Sequence, residues 1–178
     1  MRRAVLSPSY DRVLEVQLAT YVRWLPYQAL ELLVVYVLRK SGYASVRIAD
    51  HGKQRGYRDD GGWNLAARKY RTDVTDLTLV QVKHIPVQRR NVDELAGAMR
   101  RRRAKSGLIF TTDRIAEAAF ACADQHPGRP IKLISPHGLV RMMIQSGLGV
   151  RTEPAPPGDP HKLILDEKFF DMLTEQRP

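Results

Sequence analysis

Two polar side chains close an apolar strand in the middle of the chain. Residues 77–83 read Leu-Thr-Leu-Val-Gln-Val-Lys, which predicts a strand ending in Gln81 and Lys83. Residues two apart on a strand point to the same face, so this amide and this ammonium group project together. Such a pair suits a metal-dependent phosphodiesterase, which needs a metal ligand and a positive charge beside the attacked phosphate. A strand with a solvated polar face is the alternative explanation of the same spacing.

Further motifs stand in a defined order around this strand. Residues 60–64 read Asp-Gly-Gly-Trp-Asn and predict a turn that leads into another strand. Upstream, an apolar helix carries Glu31 and is followed by Gly42 and Tyr43. Downstream, residues 107–112 read Gly-Leu-Ile-Phe-Thr-Thr, a short buried strand that runs into two threonines.

In this order the motifs resemble the Mrr-like branch of the restriction endonuclease superfamily. That family has a helix with a Glu, then Gly-Tyr, then Gly-Asp-Gly-Gly-apolar-Asp opening one strand and apolar-Gln-apolar-Lys closing the next. A helix and a strand that runs into Thr-Thr follow. The resemblance covers residues 26–144, and its specificity lies in the whole series. It implies a restriction endonuclease-like fold and Mg²⁺-dependent cleavage of DNA.

The resemblance also implies an active site where the second and third strands diverge. Its catalytic residues are Lys83, Gln81, Asn64 and Glu31. Its Mg²⁺ ligands are Glu31, Asn64 and Gln81, together with the carbonyl of Val82, and Asp60 is a further candidate ligand if it turns inward. In this scheme Lys83 stabilises charge on the attacked phosphate or orients water.

One position departs from the family pattern, because Asn64 stands where the metal-binding Asp is expected. A neutral amide offers Mg²⁺ an oxygen without a charge, and this hard ion favours carboxylates. We therefore expect weak Mg²⁺ binding. Three carboxylates remain as alternatives: Asp60 by turning inward, and Asp73 or Asp76 if the hairpin has a different register.

The charge balance indicates a polyanionic partner. The 178 residues include 29 Lys and Arg against 19 Asp and Glu, a net charge of +10. Contacts between basic side chains and phosphates release counterions and drive association, so double-stranded DNA is the expected partner. The alternative is a merely solvated basic surface, and the four consecutive arginines at 100–103 cannot share one helix face. The candidate DNA contacts are Arg68, Lys69, Arg71, Arg89, Arg90, Arg100, Arg101, Arg103 and Lys105, of which we expect Arg68 to Arg90 to cluster around one sheet edge.

Other residue types limit the possible functions. Cys122 is the only cysteine, which excludes a disulfide framework and a cysteine-rich zinc site within the chain and predicts a buried structural thiol. The five histidines have no metal-ligand spacing, and His84 is expected to face away from Lys83 in a structural or surface role. No apolar stretch approaches membrane-spanning length and the N-terminus lacks a signal-peptide pattern, so we expect a cytoplasmic protein without membrane contact.

The periodicity of the chain predicts an α/β fold. Strands are expected at 44–49, 63–70, 77–85, 107–110 and 131–134, and helices at 10–25, 26–40, 91–104, 113–124 and 136–145, with a terminal helix at 163–174. Asn91 is the expected N-cap of the helix at 91–104. This order corresponds to an αβββαβ core with a mixed central sheet flanked by helices. The chain divides into an N-terminal helical extension (1–25), the core domain (26–149) and a Pro-rich linker with a C-terminal helix (150–178).

Two functions of different classes follow from these residues. The first is a Mg²⁺-dependent DNA endonuclease whose metal site is weakened by Asn64. The second is a non-cleaving DNA-binding module, or a subunit of a larger DNA-processing or mobile-element assembly. Cleavage of both strands usually requires two sites, so a homodimer is expected for the first function.

Overall fold

The computed structural model describes residues 12–49, 62–71, 74–154 and 162–175, and six α-helices and seven β-strands lie within them. The helices are α1 (Arg12–Trp24), α2 (Tyr27–Lys40), α3 (Arg89–Arg102), α4 (Glu117–Asp124), α5 (Pro136–Ser146) and α6 (Glu167–Glu175). The strands are β1 (Ser45–Ile48), β2 (Leu65–Arg71), β3 (Val74–Lys83), β4 (Ser106–Thr111), β5 (Ile131–Ile134), β6 (Val150–Glu153) and β7 (Lys162–Leu165).

Five of these strands form one mixed sheet in the order β1-β2-β3-β4-β5. The first three strands are antiparallel neighbours, whereas β3, β4 and β5 run parallel and are connected through α3 and α4. Parallel neighbours need a crossover between them, and helices supply it here. The predicted mixed sheet flanked by helices, with its αβββαβ core, is confirmed.

The alternation of side chains along the strands divides the core into two layers. Val80, Val82 and Phe110 face the layer that contains α1, α2, α5 and α6. Leu79 and Ile109 face the opposite layer, which contains α3 and α4. Because residues of opposite parity point to opposite faces, each polar residue on β3 belongs to a defined layer.

The two chain ends described by the structure pack on the first of these layers. Leu14, Leu18 and Val22 of α1 are buried in the same cluster as the α2 side chains, and Phe170 and Leu173 of α6 join it. The division into segments 1–25, 26–149 and 150–178 stays a prediction, but the described parts of all three share this cluster.

The C-terminal region differs from the expected single helix at 163–174. Residues 162–165 form β7, which pairs antiparallel with β6, and α6 begins only at Glu167. The register places Val150 opposite Leu165, and Val150 and Leu163 are buried. The three apolar residues 163–165 do not by themselves distinguish a strand from a helix, and pairing with β6 decides the outcome. Residues 155–160 of the expected linker lie outside the described residues.

Two helix starts also differ from expectation. The helix α3 begins at Arg89, and Asn91 lies inside its first turn, where its Oδ1 accepts the N–H of Gln88 at 2.9 Å. The expected N-cap at Asn91 is therefore wrong by three residues, although the amide does satisfy a backbone donor at this end. The helix α4 begins at Glu117 rather than 113, because Val87 and Ile115 form a parallel bridge that keeps this segment extended.

A glycine controls the approach of the chain to β2. Gly62 has a φ of 78°, and a Cβ added there would lie 2.9 Å from the Cβ of Glu94 on α3. Both the left-handed backbone and the contact exclude a larger residue. Gly62 thus holds the entrance of β2 against α3 and positions Asn64 two residues later.

None of the helices in the described part of the chain combines the length and the apolar character needed to span a bilayer.

We predict that Gly62→Ala is more destabilising than Gly42→Ala. Gly42 has a similar φ of 85° but open space around the position of a Cβ. In the control, Gly42→Ala, the free energy of unfolding should fall only by the cost of a left-handed backbone, about 1–2 kcal/mol. In Gly62→Ala it should fall by about 1–3 kcal/mol more, because the new Cβ overpacks against α3. Urea unfolding of both variants measures the difference; equal losses would show that the contact with Glu94 carries no cost.

Candidate active site at the divergence of β2 and β3

The strands β2 and β3 separate at Asn64. Leu65 is the first paired residue of β2 and lies opposite Val80, and the backbone N–H of Asn64 donates to the carbonyl of Val80 at 2.7 Å. Beyond that point the ladder continues through a side chain, because Asn64 Oδ1 accepts the N–H of Val82 at 2.7 Å. The carbonyl of Asn64 turns to the other side and accepts the N–H of Ala49. We refer to this divergence, formed by Asn64, Gln81, Val82 and Lys83, as the fork.

Gln81 and Lys83 lie on one face of β3 at the fork. Their odd numbering places them in line with Leu79, on the face toward α3 and α4. Gln81 is only 2% exposed, and its Oε1 has no hydrogen-bond partner, whereas Lys83 is partly exposed. A buried acceptor without a donor costs about 1–3 kcal/mol. An oxygen of this kind is suited to a cation.

Glu31 approaches the same end of the sheet from the other layer. The hydroxyl of Tyr27 donates to the carbonyl of Val82 at 3.1 Å and ties the first turn of α2 to the fork. Glu31 follows Tyr27 by four residues, which places both on the same face of α2. Its side chain is 5% exposed. The structure therefore brings Asn64, Gln81 and Lys83 together at the fork, with Glu31 one helical turn from the Tyr27 contact.

The ends of β3 and β4 are joined by hydroxyl groups. Thr111 Oγ1 donates to the carbonyl of Ile85 at 3.0 Å, and Thr112 Oγ1 lies 2.9 Å from His84 Nδ1. The Nε2 atom of His84 is buried without a hydrogen-bond partner, and its ring centroid lies 6.0 Å from that of Tyr27.

Sequence reasoning singled out neither Tyr27 nor the buried nitrogen of His84. The spacing of Tyr27, four residues before Glu31, is the one signal that could have found it. For His84, its even parity with Val82 predicts the α2 side of the sheet, where the structure places it beside Tyr27.

The three carboxylates considered as replacements for Asn64 have different outcomes. Asp60 and Asp73 lie outside the described residues. The register of the hairpin pairs Asp76 with Lys69. Asp76 precedes Lys83 by seven residues, so the two lie roughly 20 Å apart along β3. Asp76 is therefore remote from the fork.

The candidate DNA contacts fall into two groups at opposite ends of the sheet. Arg89 and Arg90 begin α3, just after the fork, and Arg89 pairs with Asp93 at 3.6 Å. The second group lies at the other end of α3, about 20 Å away, and on the adjacent strands: Arg68, Lys69, Arg71, Arg100, Arg101, Arg103 and Lys105. The expected cluster of Arg68 to Arg90 around one edge is wrong, because Arg68 pairs with Leu77, roughly 20 Å along β3 from Lys83 and the start of α3.

Local contacts distinguish members of the second group. The ammonium of Lys69 lies 4.5 Å from the centroid of the Tyr43 ring. Lys69 and Lys105 also line a cavity of about 580 Å³ on the α2 side of the sheet. Arg103 adopts a left-handed conformation, with φ of 55°, at the C-cap of α3. Arg68, Arg100, Arg101, Arg103 and Lys105 are exposed.

The oxygen donors at the fork can be compared with the needs of Mg²⁺, which favours several carboxylates in octahedral geometry. Glu31 supplies a carboxylate and Gln81 an amide oxygen without a donor. Asn64 Oδ1 and the carbonyl of Val82 already accept hydrogen bonds, although each oxygen keeps a second lone pair. The donor set fits Mg²⁺ in kind, through Glu31 and Gln81, but with little negative charge.

We predict that Asn64→Ala destabilises the protein by about 1–3 kcal/mol, because the buried N–H of Val82 loses its acceptor. Asn64→Asp should lose much less stability, because a carboxylate oxygen at the same position still accepts the hydrogen bond from the Val82 N–H. Urea unfolding of the two variants and the parent measures how much the Asn64–Val82 hydrogen bond contributes to stability. An Asn64→Ala variant as stable as the parent would show that the Asn64–Val82 bond does not hold the fork.

Comparisons with known proteins agree with this geometry. The family model of restriction endonucleases with an Mrr catalytic domain matches residues 22–143. No curated protein matches this chain by sequence.

Two solved structures share the fold. The DNA modification-dependent restriction endonuclease AspBHI is 14% identical with a TM-score of 0.53, and the match covers 83% of this chain and 39% of that one. The MspJI restriction endonuclease, solved in complex with a 27-mer oligonucleotide, is 21% identical with a TM-score of 0.51, and the match covers 81% of this chain and 35% of that one. The chain thus spans less than half of either enzyme. Because the family model matches more than half of its residues, this chain belongs to the restriction endonuclease family with the Mrr-type catalytic domain.

Proposed function

We propose that this chain is a Mg²⁺-dependent DNA endonuclease domain that hydrolyses phosphodiester bonds at the fork. The observation that carries the proposal is the buried Gln81 Oε1 without a hydrogen-bond partner, on the same strand face as Lys83. Burying an amide oxygen without a donor lowers stability, and a cation bound there would compensate for that loss.

Each fork residue has a role in this proposal. Glu31, Gln81 and Asn64 would hold Mg²⁺ together with the carbonyl of Val82, and Asp60 would be a further ligand if it turns inward. When bound, the ion would supply an activated water and stabilise charge on the phosphate. Lys83 would contact the non-bridging oxygen of the attacked phosphate, because its ammonium group is partly exposed at the end of β3.

The separation of β2 from β3 supports this assembly of ligands. Beyond Asn64, no backbone group of the described residues pairs with β3 on the β2 side, where Asn64 supplies its side chain to Val82. Oxygen atoms from the α2 layer and from the opposite face of β3 can then approach one ion. Asn64 contributes no charge, so we expect an affinity for Mg²⁺ below that of a site with an Asp.

A second candidate function is DNA binding without cleavage, by a chain that keeps the nuclease fold. The bond from the Val82 N–H to Asn64 Oδ1 favours it, because this bond gives Asn64 a structural role that needs no metal. In that case Lys83 would still contact a DNA phosphate. Such a module would serve as a subunit of a larger DNA-processing or mobile-element assembly.

Double-stranded DNA is the proposed partner for both functions. Arg89 and Arg90 add positive charge to the N-terminus of α3, whose dipole also attracts phosphate. Their position just after the fork suits contact with the strand being cleaved. The second basic group, at the other end of α3, would contact the flanking duplex. MspJI is itself solved with an oligonucleotide.

Cleavage of both DNA strands requires two sites, so we propose a homodimer or a partner subunit. We propose a cytoplasmic location, where the DNA substrate is available.

Lys83→Ala separates the two functions. If the protein cleaves, plasmid nicking with Mg²⁺ or Mn²⁺ should be abolished in the variant. The free energy of DNA binding, measured by gel shift at matched salt, should weaken by about 1 kcal/mol or less. Lys132→Ala, an exposed lysine on β5, controls for the loss of one charge and should nick like the parent. Nicking by the parent that survives Lys83→Ala would contradict the assignment of Lys83; DNA binding without any nicking would select the second function.

Asn64→Asp should create or raise Mg²⁺-dependent nicking. The substitution restores a negative ligand at the fork and keeps an acceptor for the Val82 N–H. Activity should appear at lower Mg²⁺ concentration than in the parent, measured by a Mg²⁺ titration of plasmid nicking. A folded variant with no gain in rate or in apparent Mg²⁺ affinity would show that position 64 is not a metal ligand.

A further inference from the structure

Three metal-ligating side chains meet on the α3–α4 layer. Asp93 lies on α3, Cys122 on α4, and His126 just after the end of α4. One ligand atom from each lies within 4.8 Å of the other two, and Cys122 Sγ lies 3.3 Å from Asp93 Oδ1. These three residues lie on the opposite side of the sheet from Glu31, and none of them belongs to the fork.

The local structure explains why the three side chains converge. Cys122 and His126 are four residues apart, and the N–H of His126 donates to the carbonyl of Ala123 at 3.2 Å, which continues the turn beyond Asp124. The imidazole is therefore placed one turn from the thiol, on the same side of α4. The neighbouring helix α3 presents Asp93 to that side.

The donor types indicate the class of ion. A thiolate, an imidazole and a carboxylate together suit Zn²⁺ and similar borderline divalent ions, whereas Mg²⁺ prefers oxygen donors only. Ligand atoms around tetrahedral zinc lie about 3.3–3.8 Å from one another. The observed separations are all within 4.8 Å, and the 3.3 Å between Cys122 Sγ and Asp93 Oδ1 already lies in that range.

The surroundings give the ion a route to the site. Cys122 is 2% exposed, but His126 is partly exposed and Asp93 is 55% exposed. His126 also lines a cavity of about 500 Å³ together with Arg100 and Arg129. Three protein ligands and access from solvent leave a fourth position for water.

We propose that Asp93, Cys122 and His126 form a binding site for Zn²⁺ or a similar borderline divalent ion that joins α3 to α4. This site is independent of the proposed nuclease function. On binding, the S–H bond of Cys122 breaks, a sulfur–metal bond forms, and the proton passes to solvent.

Co²⁺ provides the spectroscopic test. The chelator-treated protein is titrated with Co²⁺ in excess Mg²⁺, which occupies oxygen-only sites. We expect a thiolate-to-cobalt charge-transfer band that saturates at one ion per chain and disappears when Zn²⁺ is added.

Variants identify the ligands. Cys122→Ser should abolish the band, and His126→Ala and Asp93→Asn should each weaken Co²⁺ binding by more than about 100-fold, since loss of a group behind a ligand already costs about 10–100-fold. His137→Ala, an exposed histidine on α5, is the control and should bind like the parent. His126 and Asp93 are not buried, so these two variants are expected to fold, which circular dichroism checks. The absence of a charge-transfer band, or unchanged Co²⁺ binding in His126→Ala and Asp93→Asn, would overturn the proposal.

Discussion

The hydrogen bond from the N–H of Val82 to Asn64 Oδ1 is the contact on which the candidate site depends. Val82 is fully buried, and a buried backbone donor must find an acceptor. A backbone carbonyl of β2 would satisfy it only if β2 continued alongside β3. The side chain of Asn64 satisfies it instead, and the backbone of Asn64 turns to pair with Ala49. The end of β3 thereby keeps a buried, satisfied backbone and loses its neighbour on one side.

Each layer of the protein contributes one contact that holds this arrangement. From one side, Tyr27 of α2 donates to the carbonyl of Val82 and fixes the helix that carries Glu31. From the other side, Gly62 packs against Glu94 of α3 and fixes the approach to Asn64. The fork is thus supported by secondary-structure elements on both faces of the sheet, which is the kind of rigid support that a functional site requires. Asn64 serves the fold whether or not it also binds a metal ion.

Two kinds of donor set occur in this small chain, on separate elements. The fork offers oxygen atoms from α2, from β3 and from the segment before β2, which match a hard ion. The cluster between α3 and α4 adds sulfur and nitrogen, which match a softer one. The helix α3 connects the two regions, because it begins with Arg89 and Arg90 near the fork and carries Asp93 one turn later. An ion at the second site would therefore restrain the helix that carries the basic residues closest to the first.

The sequence alone determined the five strands of the main sheet and the helices α1 to α5 in their order, because hydrophobic periodicity and turn residues are local properties of the chain. It also determined that Gln81 and Lys83 share a strand face, since alternation along a strand does not depend on its neighbours. Tertiary structure decided what depends on partners distant in sequence. The acceptor role of Asn64 needs Val82, the strand β7 needs β6, and the meeting of Cys122 with Asp93 needs the packing of α4 on α3. The division of the basic residues into two groups likewise follows from the register of β2 on β3, which places Arg68 opposite Leu77, six residues before Lys83.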